Sequence, residues 1–270
     1  MEAMICDRFS VVQDDYELKN WQTASELLTK IVGLPPAPAR LKARKTRGFL
    51  ATDLPAEVAQ RLRDACVERG IEVELVPQNE IIPMIKPVRM HQVWITEDAL
   101  CVRAGSWDAM VPLGWETVRL VALAKMTRTD SFQHWEMAGD LDAVNLKVTP
   151  YVEESAEYLA DVFAFQPDGS VLGARLISRE LNYSEALGNL APDILNDANA
   201  RLEGFRLLLS AIVARAVHAY VPSNSAALLA KLLSRAAKTF PRAKMNEFDA
   251  MNRWHLQRLR MKGPPVPMVG

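Results

Sequence analysis

Apolar positions in the first eighty residues switch between strand and helix spacing. Arg8 to Val12 is a short candidate strand. From Lys19 to Val32, Trp21, Ala24, Leu27, Leu28 and Ile31 recur at steps of three and four, the spacing of an amphipathic helix. Gly33 follows as a stop, and Pro35, Pro36 and Pro38 force a turn, with Pro38 placed to open a second short helix. Gly48 to Thr52 predicts a strand. Asp53 is placed to cap the next helix, with Pro55 near its first position. That helix carries Val58, Ala59, Leu62, Ala65 and Cys66 on one face and ends at Gly70. Ile71 to Val76 then alternates as a half-buried strand.

The texture changes from Met90. Met90–Thr96, Ala99–Arg103, Ala109–Leu113 and Val118–Ala124 are short β-rich runs, with turn signals at Glu97-Asp98 and Gly105-Ser106. Tyr158–Phe165 and Val171–Ser178 flank Pro167-Asp168-Gly169, a hairpin signal. The C-terminal part is helical in pattern, over Leu202–Tyr220, Ser225–Phe240 and Asn246–Leu259. The expected fold class is α+β. A small βαβ-type module over 1–86 precedes an antiparallel β-rich domain over 87–182. A helical region over 183–262 packs on the β-rich part, and 263–270 form a flexible tail.

Gly33-Leu34, Ala39-Arg40, Leu54, Glu57, Ala59, Leu62, Gly70 and Val73-Glu74 carry a resemblance. Their spacing over about residues 8–76 resembles the C-terminal domain of the bacterial ribosomal stalk protein. In that family one helix ends in Gly-Leu, a second begins near Ala-Lys, and a third closes on a glycine before the last strand. The resemblance implies a fold. It does not carry the activity: the family meets translation factors through a lysine-rich face, and here its Gly-Leu-Lys-Glu stretch is Pro35-Pro36-Ala37-Pro38, a lysine is replaced by Ala51, and only Arg40 keeps a basic match. Further on, the strand–turn–strand order leading through Gly114-Trp115-Glu116-Thr117-Val118 resembles small bacterial pleckstrin-like barrels.

Composition narrows the class without naming a chemistry. Nearly half the residues are apolar, enough to build a core, and the formal net charge of −1 gives no global pull toward nucleic acid or membrane. Cys6, Cys66 and Cys101 are far apart and form no C-x-x-C pair, which fits a reducing, cytoplasmic setting. The start of the chain lacks a basic-then-apolar signal, and the least charged stretch, Ala216–Ala230, is too short and polar to cross a bilayer.

The common phosphate, zinc and serine-hydrolase motifs are missing from the sequence, so no metal and no cofactor is expected. His134-Trp135-Glu136, near Asp130, Asp140 and Asp142, is the densest polar-aromatic cluster and reads as a solvated loop between β elements. Trp94, Trp107, Trp115 and Trp135 crowd the β-rich centre, where amphipathic rings suit either a core or a binding surface. Arg40, Lys42, Arg44, Lys45 and Arg47 form a basic run beside the prolines. The C-terminal helices are basic too, while Asp130 to Asp161 is acidic. These features point to a non-enzymatic protein-interaction or regulatory protein with an unidentified protein partner, binding through Trp94, Trp107, Trp115, Trp135, Arg40, Lys42, Arg44 and Lys45. Two alternatives remain. One is an enzyme whose site is assembled from distant residues, with His134, Trp115, Cys101 and Glu116 first to inspect. The other is nucleic-acid binding through the basic segments.

Overall fold

The computed structural model describes residues 7–105, 109–138, 145–183, 198–234 and 240–263, with side chains described outside 129–154 and 198–200. The fold is α+β, as expected, and the chain divides into two units. The first joins residues 1–86 to 246–270, and the second spans 87–245.

In the first unit the chain runs β1 (Arg8–Glu17), α1 (Trp21–Val32), α2 (Pro36–Lys45), β2 (Arg47–Pro55), α3 (Ala56–Glu68) and β3 (Val73–Pro77). The sheet order is β2-β1-β3, with both pairings antiparallel. Glycines close α1 and follow α3, at Gly33 (φ 79°) and Gly70 (φ 72°). Both adopt the left-handed conformation that only a residue without Cβ takes without strain. Asp53 does not cap α3. It lies in β2 with φ 59°, and its carboxylate is held by Arg8, whose Nε and Nη2 donate at 2.8 and 2.7 Å. Pro55 occupies the cap position. The bidentate arginine fixes the carboxylate on the strand, where it has no reach to the helix amides.

The central strand shows how this unit is layered. Ser10, Val11, Val12 and Gln13 are all buried, so β1 is covered on both faces. Val11 joins the core formed with α1, α2 and α3, among Ala24, Leu28, Ala43 and Leu62. Val12 points the other way, into a smaller cluster with Val76 and Ile81.

In the second unit, β4 (Val88–Met90), β8 (Val118–Ala138), β9 (Asn145–Phe165) and β10 (Val171–Ile177) form one sheet in the order β4-β10-β9-β8. β5 (Gln92–Ile95), β6 (Ala99–Arg103) and β7 (Val111–Gly114) form an antiparallel second sheet. Helices α4 (Ala198–Arg215) and α5 (Ser223–Leu233) supply Phe205, Leu208, Leu209, Ile212, Leu228 and Leu232 to the core shared with these strands. One pairing, β4 with β10, is parallel. The hairpin at Asp168-Gly169 forms as patterned: Gly169 has φ 82° and Asp168 accepts from the Ser170 amide at 2.9 Å. Asp161 and Arg175 lie opposite each other on β9 and β10, where the carboxylate accepts from Nε at 2.7 Å and Nη2 at 2.6 Å. Both side chains are buried.

Two expectations need correction here. The segment around His134-Trp135-Glu136 is not a loop. It belongs to β8, whose pairing with β9 continues through His134↔Thr149 and Trp135↔Val148 to Ala138↔Asn145. From Val118 to Ala138 the sequence holds no glycine or proline to interrupt it, and strand pairing runs on to the residue before Gly139. The last helix, α6 (Met245–Lys262), does not join the β-rich part either. All of it after Met245 belongs to the first unit. There it covers the second face of the sheet, with Trp254 and Met261 packed against the Val12–Val76–Ile81 cluster. Trp254 Nε1 donates to the Gln13 carbonyl at 2.9 Å, and Gln257 Oε1 accepts from the buried Ile82 amide at 2.8 Å. Arg258 and Lys262 pair with Asp14 and Glu74. A two-sided sheet needs a second cover, and α6 supplies it.

Candidate functional site

The basic run of the sequence lies on α2 and the start of β2, and the helix sorts it by face. Ala39 and Ala43, four residues apart, are buried in the core. Pro38, Leu41, Lys42 and Lys45 recur at steps of three, one and three, which places them on one outward stripe. On α6, Asn246, Ala250 and Arg253 recur at four and three. These two stripes, with Tyr16, Phe49 and Met84, line a groove of about 630 Å³ within the first unit.

The groove is cationic and apolar together. Lys42, Lys45, Arg47 and Arg253 line it against one carboxylate, Glu247. Arg253 is half-buried, its guanidinium 4.6 Å from the centroid of the Phe49 ring, and its Nε donates to the Ile82 carbonyl at 2.8 Å. Burial lowers its pKa. The Lys42 side chain reaches solvent, yet the protein crowded around its ammonium also lowers its pKa through desolvation. A cation with part of its water removed gains more from an arriving anion than one in open solvent. Arg47 is softened by Glu17, 3.9 Å away. Leu41 (55% exposed) and Met84 (47%) present aliphatic surface at the rim. Tyr16 donates its hydroxyl to the Glu247 carbonyl at 3.2 Å and packs on Trp254 with ring centroids 5.5 Å apart. Burial raises its pKa. The arrangement presents groups suited to ion pairing with carboxylates and to apolar contact with aliphatic or aromatic side chains.

The structure separates the residues singled out by the sequence. Lys42 and Lys45 line the groove. Arg40 and Arg44 are on the same helix but turned elsewhere: Arg40 Nε donates to the Pro36 carbonyl at 3.4 Å, and Arg44 lies 5.1 Å from the Trp21 ring centroid. Trp115 is buried in the second unit's core, its Nε1 donating to the Thr96 carbonyl at 3.3 Å. Trp94 is half-buried on β5 with Arg103 5.9 Å from its ring centroid. Trp135 lies on β8 opposite Val148, and Trp107 lies outside the described residues. Glu116 is exposed, Cys101 is half-buried on β6 opposite Trp94, and His134 is on β8. Burial pushes the Cys66 thiol up to about 12 within the first unit's core. Among the described residues no cluster of three or more His, Cys, Asp or Glu is arranged to hold a metal ion, and no helix is long and apolar enough to cross a membrane. Sequence reasoning missed Tyr16, Phe49 and Met84. The outward stripe of a proline-opened helix, apolar and basic at once, was the signal available.

No family model, curated protein or solved structure matches the chain.

Proposed function

We propose that the protein is a non-enzymatic, cytoplasmic interaction or regulatory module whose first unit docks an acidic segment with apolar anchors in the groove between α2 and α6. The observation that carries this reading is the groove's lining: four cations around Phe49, Leu41 and Met84, facing a single carboxylate. Carboxylates on the partner set register and speed encounter, while apolar side chains buried between Leu41 and Met84 supply holding energy. A peptide suits this lining better than a nucleic acid. Sequence-tolerant nucleic-acid sites offer open aromatic faces for stacking. Here the Phe49 ring is taken by the Arg253 guanidinium and Tyr16 packs at a tilt against Trp254, and the exposed apolar surface is aliphatic.

The stalk-domain resemblance is proposed at the level of fold. An α1 that ends at Gly33, an α2 containing Ala39-Arg40 and an α3 followed by Gly70 before β3 support it. The pleckstrin-like reading of the second unit has the support of two packed sheets and a core shared with α4.

The test is fluorescence anisotropy of the intact chain with a labelled synthetic peptide of alternating Glu and Leu. Binding is expected to weaken as salt rises, since ionic screening shortens the reach of the groove's charges. It should fall at least tenfold in the Lys42→Glu/Lys45→Glu variant. A matched Lys–Leu peptide should not bind. Equal binding of both peptides, or retention of single-stranded RNA in place of the acidic peptide, overturns the proposal.

A further inference from the structure

Where β1 runs past the end of β3, the first unit holds a second cavity. Gln13↔Val73 is the last residue pair between the two strands, and one further bond, from the Asp14 amide to the Glu72 carbonyl at 3.1 Å, closes the ladder. Beyond it the chain diverges, into residues 18–20 ahead of α1 and residues 70–72 after α3. A pocket of about 250 Å³ opens there. It shares no lining residue with the α2–α6 groove.

The inner end of this pocket holds an unsatisfied amide. Gln13 lines it, is only 2% exposed, and finds no hydrogen-bond partner at either Nε2 or Oε1 of its side chain. The two-residue period sets Gln13 with Val11 on the helix-covered face of β1, and its neighbour Val73 belongs to the same core. Its side chain is therefore the last on that face before the cavity. A buried amide without partners lowers stability, so a group that enters and pairs with it gains the bonds the protein does not make. The mouth is acidic. Asp15, Glu17 and Glu72 line it and are exposed, against Lys19. Lys19 lies 3.1 Å from Asp15, and Arg47, outside the lining, lies 3.9 Å from Glu17. Exposed pairs of this kind are weakly held and yield to an arriving cation.

The two ends select one chemistry between them. The complement of a carboxamide is a second carboxamide, whose N–H donates to Oε1 while its carbonyl accepts from Nε2. The mouth selects positive charge, and the three carboxylates do not converge on a metal site. The volume falls below the roughly 300–1,000 Å³ of pockets for drug-sized ligands, which suits a single residue. We infer that this pocket binds a basic amino-acid residue, free as its amide or borne by a peptide, with the amide against Gln13 and the cationic side chain among Asp15, Glu17 and Glu72. The site stands independently of the docking groove.

Isothermal titration calorimetry on the full chain at low salt tests this. Argininamide is the free form of such a ligand, and acetyl-glycyl-arginyl-glycinamide is the peptide-borne form. At least one is expected to bind at one site per chain, and the tighter of the two identifies the source. Agmatine, the same cation without the amide, should bind at least tenfold more weakly. Asp15→Asn/Glu72→Gln, both at exposed positions, should weaken binding at least tenfold. Gln13→Met, similar in length and shape, should abolish it and raise the urea midpoint of the free chain, because the thioether leaves no amide unpaired. Failure of both ligands to bind overturns the proposal. So does binding that survives Gln13→Met or ignores the loss of the carboxylates, and so does agmatine binding as tightly as argininamide.

Discussion

Gly48 and Trp254 occupy the same small space from opposite ends of the chain. A Cβ added to Gly48 would lie 2.2 Å from Trp254 Cδ1, and Gly48 already holds φ at 71°. The indole is held in place by the bond from Nε1, the ring atom next to Cδ1, to the Gln13 carbonyl. The glycine therefore answers two demands, a left-handed backbone and a ring pressed against the main chain.

Gly48→Ala is expected to destabilise the first unit on both counts. The left-handed backbone costs a residue with a Cβ about 1–2 kcal/mol. Overpacking against the indole adds about 1–3 kcal/mol. Urea denaturation followed by tryptophan fluorescence measures the sum. Adding Trp254→Ala to Gly48→Ala should recover the packing component and leave the backbone one. A double variant no less additive than two distant substitutions would show that the contact carries no energy.

α6 is the second cover of the sheet, so its removal should be felt at β1. A chain ending at Met245 loses Trp254, Met261 and the Arg258 and Lys262 partners of Asp14 and Glu74. Val12 and Val76 would then face water. Amide hydrogen exchange at Val11, Val12 and Gln13 is expected to quicken by orders of magnitude in the truncated chain. Unchanged protection there would mean that the first unit's sheet is stable with one face bare.

The elements of the first unit were legible because local signals mark them: helical spacing from Trp21 to Ile31, and glycines 33 and 70 at helix ends. The destination of α6 was not. Its apolar residues Phe248, Met251, Trp254 and Leu259 show that one side is covered, and nothing local says by which sheet. The clue lay in β1, where Ser10 to Gln13 pass for one half-buried strand although both faces are covered. The length of β8 and β9 was hidden for a different reason: residues 129–138 mix charged, polar and apolar types without strict alternation and read as a loop. The groove was half legible. Lys42 and Lys45 were flagged by charge, but their separation from Arg40 and Arg44 depends on the helix face, and Tyr16, Phe49, Met84 and Arg253 reach the same place only through the fold.

The Asp161–Arg175 pair anchors the centre of the second unit. Asp161 is fully buried and lies on β9 between β8 and β10, opposite both Ala122 and Arg175. Removing one partner takes the bidentate contact away from the other's buried charge. Asp161→Ala and Arg175→Ala are each expected to cost about 3–5 kcal/mol. Replacing both together, as Asp161→Leu with Arg175→Met, should cost less than either single change. Thermal denaturation of the three variants decides this, and a double variant as unstable as the sum of the singles would contradict it.

Acid should loosen the first unit in two separable stages. His255 on α6 is 8% exposed, its ring centroid 4.7 Å from that of Trp254 at a tilt of 53°, and burial lowers its pKa from 6.5 to about 4. In the folded state the imidazole therefore stays neutral while the unfolded chain takes up a proton. Between about pH 6.5 and 4 the unfolded state binds more protons, so stability falls as the pH falls, by up to about 3 kcal/mol in all. Asp14 acts lower on the scale. Burial pushes its carboxyl up, but hydrogen bonds and charges from Arg258 and Lys262 outweigh this and leave it below its ordinary value of 3.8. Its contribution is present above 3.8 and is lost as the pH falls through the lowered folded pKa. His255→Gln should flatten the stability profile of the first unit between pH 6.5 and 4 and leave the more acidic limb in place. Asp14→Asn should lower stability at neutral pH and flatten that acidic limb. Denaturation series at stepped pH, read through hydrogen exchange at β1, distinguish the two. A His255→Gln profile that parallels the wild type from pH 7 to 4 would assign the loss to other groups.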